Sequence, residues 1–178
     1  MFLCFKKKYF MGDIQNLKDN AAIEKIIELA KDQTCLFCTY IGEFAIKARP
    51  MSTQAVEDDG TIWFFSSKQS DKNREIATKN KVHLLYGDPG KSDYLSVEGH
   101  VVITEDKNKI DELWTPIIKT WFQEGKDDPN LSLLKITPAE AYYWDTKHGK
   151  MVSFAKMLAS VVSGKTMDDG IEGKLDLQ

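Results

Sequence analysis

The sequence predicts a mainly β protein with peripheral α-helices, its six or seven strands forming a mainly antiparallel barrel. Three observations predict it. Short apolar or alternating segments bounded by turn residues dominate residues 34–145. Asp58, Asp59 and Gly60 mark a hairpin between residues 53–57 and 61–65. Gly99, inside a long alternating run at residues 94–104, permits the bend that a curving sheet needs. With 178 residues, 42% hydrophobic and 11% aromatic, the chain can bury one sizeable core, which favours a single domain.

Taken in order, residues 1–15 read as an extension. The opening MFLCFKKKYF is apolar and basic but lacks the apolar core and small-residue cleavage site of a signal peptide, and Met11-Gly12 offers an alternative start. The domain is expected over residues 16–162, followed by a mobile tail over 163–178, where periodicity fades. Leu17, Ala21, Ile23, Ile26, Ile27 and Ala30 fall largely on one helical face, so residues 17–31 predict a packing helix. The β-branched and aromatic run TCLFCTYI at 34–41 predicts a strand. Pro50 excludes helix around Arg49, so residues 44–51 are extended. Ser70 is placed to N-cap a helix starting at Asp71 and ending near Lys79.

Residues 82–86 predict a core strand and 87–91 a loop. Residues 106–114 predict a helix, with Pro116 starting a second piece that runs to Phe122. Residues 131–137 and 141–145 read as two strands parted near Pro138, and 151–162 as a final helix.

Several function classes find no support. A formal net charge of −3 offers nothing to a nucleic-acid partner, and no apolar run is long enough to span a membrane. Three cysteines make no disulfide framework, so the chain reads as cytoplasmic. Cys35 and Cys38 have redox or zinc spacing, but a strand points them to opposite faces and no second pair accompanies them. His83, His100 and His148 form neither a metal-ligand pair nor a hydrolytic triad, so no metal site is expected. Neither a dinucleotide-binding glycine fingerprint nor a nucleotidase-type phosphate loop is present.

The stretch KARPMSTQAVEDDGTIWFFSSKQSDK at 47–72 organises the rest. The hairpin brings the strand of Arg49 towards the strand ending at Ser66 and Ser67, and Lys72 enters the following helix. Two hydroxyls, free N–H groups at a helix start and two cations are what a phosphate dianion needs in place of water. On their own these residues also read as a solvated Arg and Lys beside ordinary capping serines.

The order Arg-Pro-Met, Asp-Gly, Trp-Phe-Phe-Ser-Ser and a helix with Lys72 and Glu75 resembles the pyridoxamine 5'-phosphate oxidase-like FMN-binding split barrels, in particular their general stress protein branch. Residues 121–129, WFQEGKDDP, and the run LLKITP at 133–138 leading to Tyr143-Trp144-Asp145 extend the likeness. The resemblance implies an antiparallel split β-barrel holding FMN at the interface of a homodimer. It implies that Arg49, Ser66, Ser67 and Lys72 meet the FMN phosphate, with Pro50 and Met51 beside Arg49 and Gln54 near the ring. Gln54 stands where the oxidases have a Lys, which predicts a lower flavin potential. Asp71 stands where they have an Arg, so one phosphate cation is missing. The oxidases' C-terminal Arg-x-His is also missing, since no arginine follows Arg74; oxidation of vitamin B6 is therefore not expected.

The region around Trp114, Ile117, Ile118, Trp121 and Phe122 is unusually apolar, and either a partner subunit covers it or it pads its own barrel. Trp121 is the candidate for an aromatic flavin wall lent across the interface. The expected function is an FMN-binding general stress protein, with flavin-dependent oxidoreduction of an unidentified small substrate, NAD(P)H being one candidate partner. The alternatives are a protein that sequesters or senses flavin without turnover, and an interaction dimer whose cofactor site has decayed. No catalytic residue is assigned.

Overall fold

The computed structural model describes residues 13–43, 45–146 and 170–177. The elements are β1 (Asp13–Ile14), β2 (Leu17–Lys18), α1 (Asp19–Ala30), β3 (Thr34–Ile41), β4 (Ala45–Ser52), β5 (Ala55–Val56), β6 (Ile62–Ser67) and α2 (Asp71–Thr78). They continue with β7 (Lys81–Asp88), β8 (Asp93–Thr104), α3 (Lys107–Leu113), short 3-10 helices at Pro116–Thr120 and Gly125–Asp127, β9 (Leu131–Thr146) and β10 (Gly170–Asp176).

The main sheet runs β4-β3-β7-β8-β9-β10 with antiparallel neighbours throughout, while β1 and β2 add to β10 in parallel. The first half of β9 also pairs with β6, and β6 with β5. Among the described residues β4 pairs only with β3, and β6 only with β5 and β9, so the ring stays open between β4 and β6. This is a split barrel rather than a closed one. Side chains that point inward from the strands, among them Phe37, Phe64, Leu84, Val97 and Ile136, pack with Ala22, Ile26 and Ala30 of α1 and Ile76 of α2. Phe37 meets Phe64 edge to face at 5.4 Å.

Four expectations need correction. Residues 131–146 form one strand, not two: Pro138 lies opposite Gly99, where β8 shifts register, so the bulge absorbs the missing N–H and β9 passes through unbroken. The helix expected from residue 17 starts at Asp19, because Leu17 and Lys18 pair with β10 instead. The mobile tail does not describe residues 170–176, which form β10 between β9 and the first two strands. The expected loop at 87–91 is also shorter, since Gly87 and Asp88 pair with Tyr94 and Asp93. The expected helix at 151–162 and the first twelve residues lie outside the described residues.

Candidate functional site

The seam between β4 and β6 holds a cavity of about 440 Å³. Pro50, Met51 and Gln54 line it from the β4 side, and Ser66 and Ser67 from the end of β6. Lys72 lines it from the first turn of α2, and Trp121 from the excursion between β8 and β9. Seven of the eight residues singled out from the sequence thus share one cavity. The eighth, Arg49, stands beside the cavity rather than in its wall.

α2 reaches the seam because its start is fastened to β6. The Ser70 hydroxyl accepts the N–H of Asn73 at 3.2 Å, as an N-cap should. Asn73, buried, accepts from the Ser66 hydroxyl at 2.5 Å and donates to Ser132 on β9 at 3.1 Å, while Ser132 donates to the Ser66 carbonyl at 2.8 Å. The Ser66 hydroxyl proton is therefore spent in positioning the helix. Ser67, half-buried in the same wall, makes no side-chain hydrogen bond among the described residues and is the better placed hydroxyl for a ligand.

Lys72 is 9% exposed and makes no ion pair or hydrogen bond with a described residue. Burial pushes its pKa down, Arg49 pushes it further, and Glu75 opposes both, leaving it at about 8. Arg49 is occupied: its Nη2 donates to Glu75 Oε2 at 2.9 Å and its Nη1 to Thr39 Oγ1 at 3.1 Å. Glu75 also accepts from Thr39 at 2.5 Å and from Lys47 Nζ at 3.0 Å. Burial raises the Glu75 pKa, but these three hydrogen bonds outweigh it and bring it to about 2. Asp71 faces away and pairs with Arg74 on the surface.

The other end of the cavity is apolar. Trp114 and Phe122 turn inward with Ile110, Leu131 and Leu133 to form a second core cluster, and Phe65 meets the Trp114 ring edge to face at 6.0 Å. The apolar excess of this excursion is thus partly padding for its own barrel. Trp121 stays 67% exposed at the rim. It lines the cavity of its own chain.

Elsewhere, Cys35 and Cys38 are unpaired buried thiols, burial raising the Cys35 pKa to about 12. His83 bonds to Ser96 at 2.7 Å at the edge of a second, strongly charged cavity of about 430 Å³. Among the described residues no group of His, Cys, Asp or Glu is placed to hold a metal, and no helix is long and apolar enough to cross a membrane. Sequence reasoning missed the site roles of Thr39, Asn73 and Ser132, which look like ordinary strand and helix residues until the elements meet. It also gave Glu75 no role.

The pyridoxamine 5'-phosphate oxidase like family matches residues 21–168. The chain belongs to this family. General stress protein 26 of Bacillus subtilis (strain 168) is 37% identical over 86 residues, covering 47% of the chain and 61% of that protein. The chain spans about 61% of the length of the curated relatives it matches. Among solved structures, the general stress FMN/FAD binding protein of Xanthomonas citri superposes with a TM-score of 0.60 at 30% identity, covering 70% of the chain and 87% of that protein. General stress protein 26 of Bacillus anthracis str. Sterne gives 0.59 at 30% identity, with coverages of 68% and 90%. Within the pyridoxamine 5'-phosphate oxidase-like family, this chain has an open seam between β4 and β6 among its described residues, and no arginine follows Arg74 in its sequence.

Proposed function

We propose that the chain is an FMN-binding general stress protein working as a cytoplasmic homodimer, in which the seam cavity takes the flavin with its phosphate towards Lys72. The observation that carries this reading is Lys72 itself, a largely buried cation at a helix start with no ion-pair or hydrogen-bond partner among the described residues. The donor set fits the group. Lys72, Lys47 and Arg49 less Glu75 and the lining Asp128 leave one net positive charge, to which the start of α2 adds its dipole, against roughly −1.5 to −2 on a phosphate monoester. The cavity also falls within the roughly 300–1,000 Å³ typical of small-ligand sites. Met51, Phe65, Ile118 and Trp121 supply the apolar wall that an isoalloxazine ring needs. Two free thiols suit a reducing compartment.

When bound, FMN supplies hydride exchange at N5, and the chain supplies position and electrostatics. Gln54, its amide tied by Nε2 to the Ser52 carbonyl at 2.9 Å, offers a neutral dipole rather than a cation near the ring. Among the described lining residues only Lys72 and Asp128 are ionisable, and Asp128 already accepts the Asn130 N–H at 2.9 Å. That scarcity of proton carriers favours either simple hydride exchange with NAD(P)H or a second reading, flavin storage or sensing without turnover.

Titration with FMN, followed by flavin fluorescence, tests the site. Lys72→Ala is expected to weaken FMN by about ten- to a hundredfold, the worth of one charge-assisted contact, while leaving riboflavin affinity unchanged. Equal affinity of wild type and variant for FMN removes Lys72 from the site. Reduction of the bound flavin by NADH or NADPH separates the oxidoreductase from the storage reading.

A further inference from the structure

Glu75 lies one helical turn beyond Lys72 and spends both carboxylate oxygens on other partners. Oε1 takes Lys47 from β4, and Oε2 takes both Thr39 from β3 and Arg49 from β4. Its side chain is 12% exposed and that of Arg49 25%, so this is no freely solvated surface pair. We infer that Glu75 is the positioning residue of the phosphate end, fixing Arg49 at the lip of the seam and leaving Lys72 as the cation with no direct partner among the described residues. The inference rests on the flavin reading above and adds a residue to it.

The geometry gives Glu75 two effects. A guanidinium has five N–H groups, and Arg49 uses one on Glu75 and one on Thr39. Held by those two, it keeps a fixed fork beside the cavity instead of sampling rotamers that a ligand must later freeze. The carboxylate also opposes the loss of the Lys72 proton that burial and Arg49 promote. A surface glutamate on a helix has neither effect. It would trade places with water and leave anion binding untouched.

The test compares wild type, Glu75→Gln, Arg49→Ala and the double variant, each titrated with FMN and with riboflavin in phosphate-free buffer across the pH range around 8. Three results are expected. Glu75→Gln weakens FMN about five- to tenfold without changing riboflavin, because only the phosphate end is disturbed. The same substitution costs less in the Arg49→Ala background, since much of its effect passes through Arg49. In wild type FMN affinity falls as pH rises through about 8, and in Glu75→Gln the fall begins at lower pH. Glu75→Asp keeps the charge and so restores the wild-type pH profile, and it stands in where the amide variant fails to fold.

Tighter FMN binding in Glu75→Gln, full additivity with Arg49→Ala, or equal losses for FMN and riboflavin overturns the inference. A wild-type protein that binds neither flavin overturns the flavin reading instead, and the first titration reports it.

Discussion

A buried amine keeps its charge only if protein groups replace the water it has lost. Lys25 and Lys72 meet this demand differently. Lys25 donates to Glu28 at 2.6 Å and to Asp145 at 3.0 Å; burial pulls its pKa down, but the two carboxylates turn the net shift upward. Lys72 has no such pair among the described residues and stays low, which is what the flavin site proposed above asks of a lysine that meets a ligand rather than tying elements together. Asp145 in turn lies beside Asp93. Burial raises Asp93 first, its hydrogen bond to Asp145 and that neighbour's charge add to it, Asp88 adds a little and Lys91 opposes, giving about 6. A raised pKa means that the folded chain holds the Asp93 proton more tightly than the unfolded one. The contribution is therefore complete below the unfolded aspartate value of about 3.9 and fades as pH climbs through about 6. Asp93→Asn, which keeps a donor at every pH, is expected to raise Tm at about pH 7.5 and to leave it unchanged at about pH 4. Melting curves across that range check it, and a constant offset would mean that the change acts through packing.

At the scale of elements, the seam depends on how β8 and β9 pass one another. Both are long, and their ladder changes register between Glu98 and Gly99, opposite Pro138. A Cβ on Gly99 would meet the Thr137 carbonyl at 2.6 Å and Ile136 Cγ2 at 3.0 Å, so the close approach needs glycine. Gly99→Ala is expected to lower stability by about 1–3 kcal/mol in urea unfolding, the usual cost of overpacking. A variant as stable as wild type would show that the bulge relaxes freely. The glycine was legible as a bend because it interrupts a clean alternation, and β3 was legible to both ends because Thr34–Ile41 is β-branched, aromatic and bounded by Gly42. By contrast, β10 was not. Its GIEGKLD has no apolar run, and its identity comes from distant partners on β9, β1 and β2. The site divides likewise. Lys72 and the serines announce themselves by type and spacing, whereas the grip of Glu75 on Arg49 exists only once α2 packs against β3 and β4.

At the scale of the whole molecule, an unclosed ring leaves β4 with one edge unpaired among the described residues and all its side chains exposed or half-exposed. Such edges are covered or blunted in natural sheets. The outer surface next to this edge is apolar in register, with Pro50 opposite Leu36 and Leu36 opposite Leu85. Ile46, Leu36 and Leu85 are 56%, 49% and 41% exposed, and Pro50 carries the row directly into the seam cavity, whose rim holds the exposed Trp121. In the homodimer proposed above a second copy of the chain would cover this row, and a two-fold axis would use the same row twice. A stable contact needs about 1,200–2,000 Å² of total buried surface, so the row would be the centre of a larger patch. Leu85→Glu, which places a charge in that centre, is expected to convert a dimer into a monomer in sedimentation equilibrium and to weaken FMN binding, because the cavity rim loses its cover. Val102 is 59% exposed on β8, beyond the stretch that pairs with β7, so Val102→Glu is expected to leave the dimer intact. A wild-type monomer that binds one FMN per chain would show that the row covers nothing and that the seam is complete by itself.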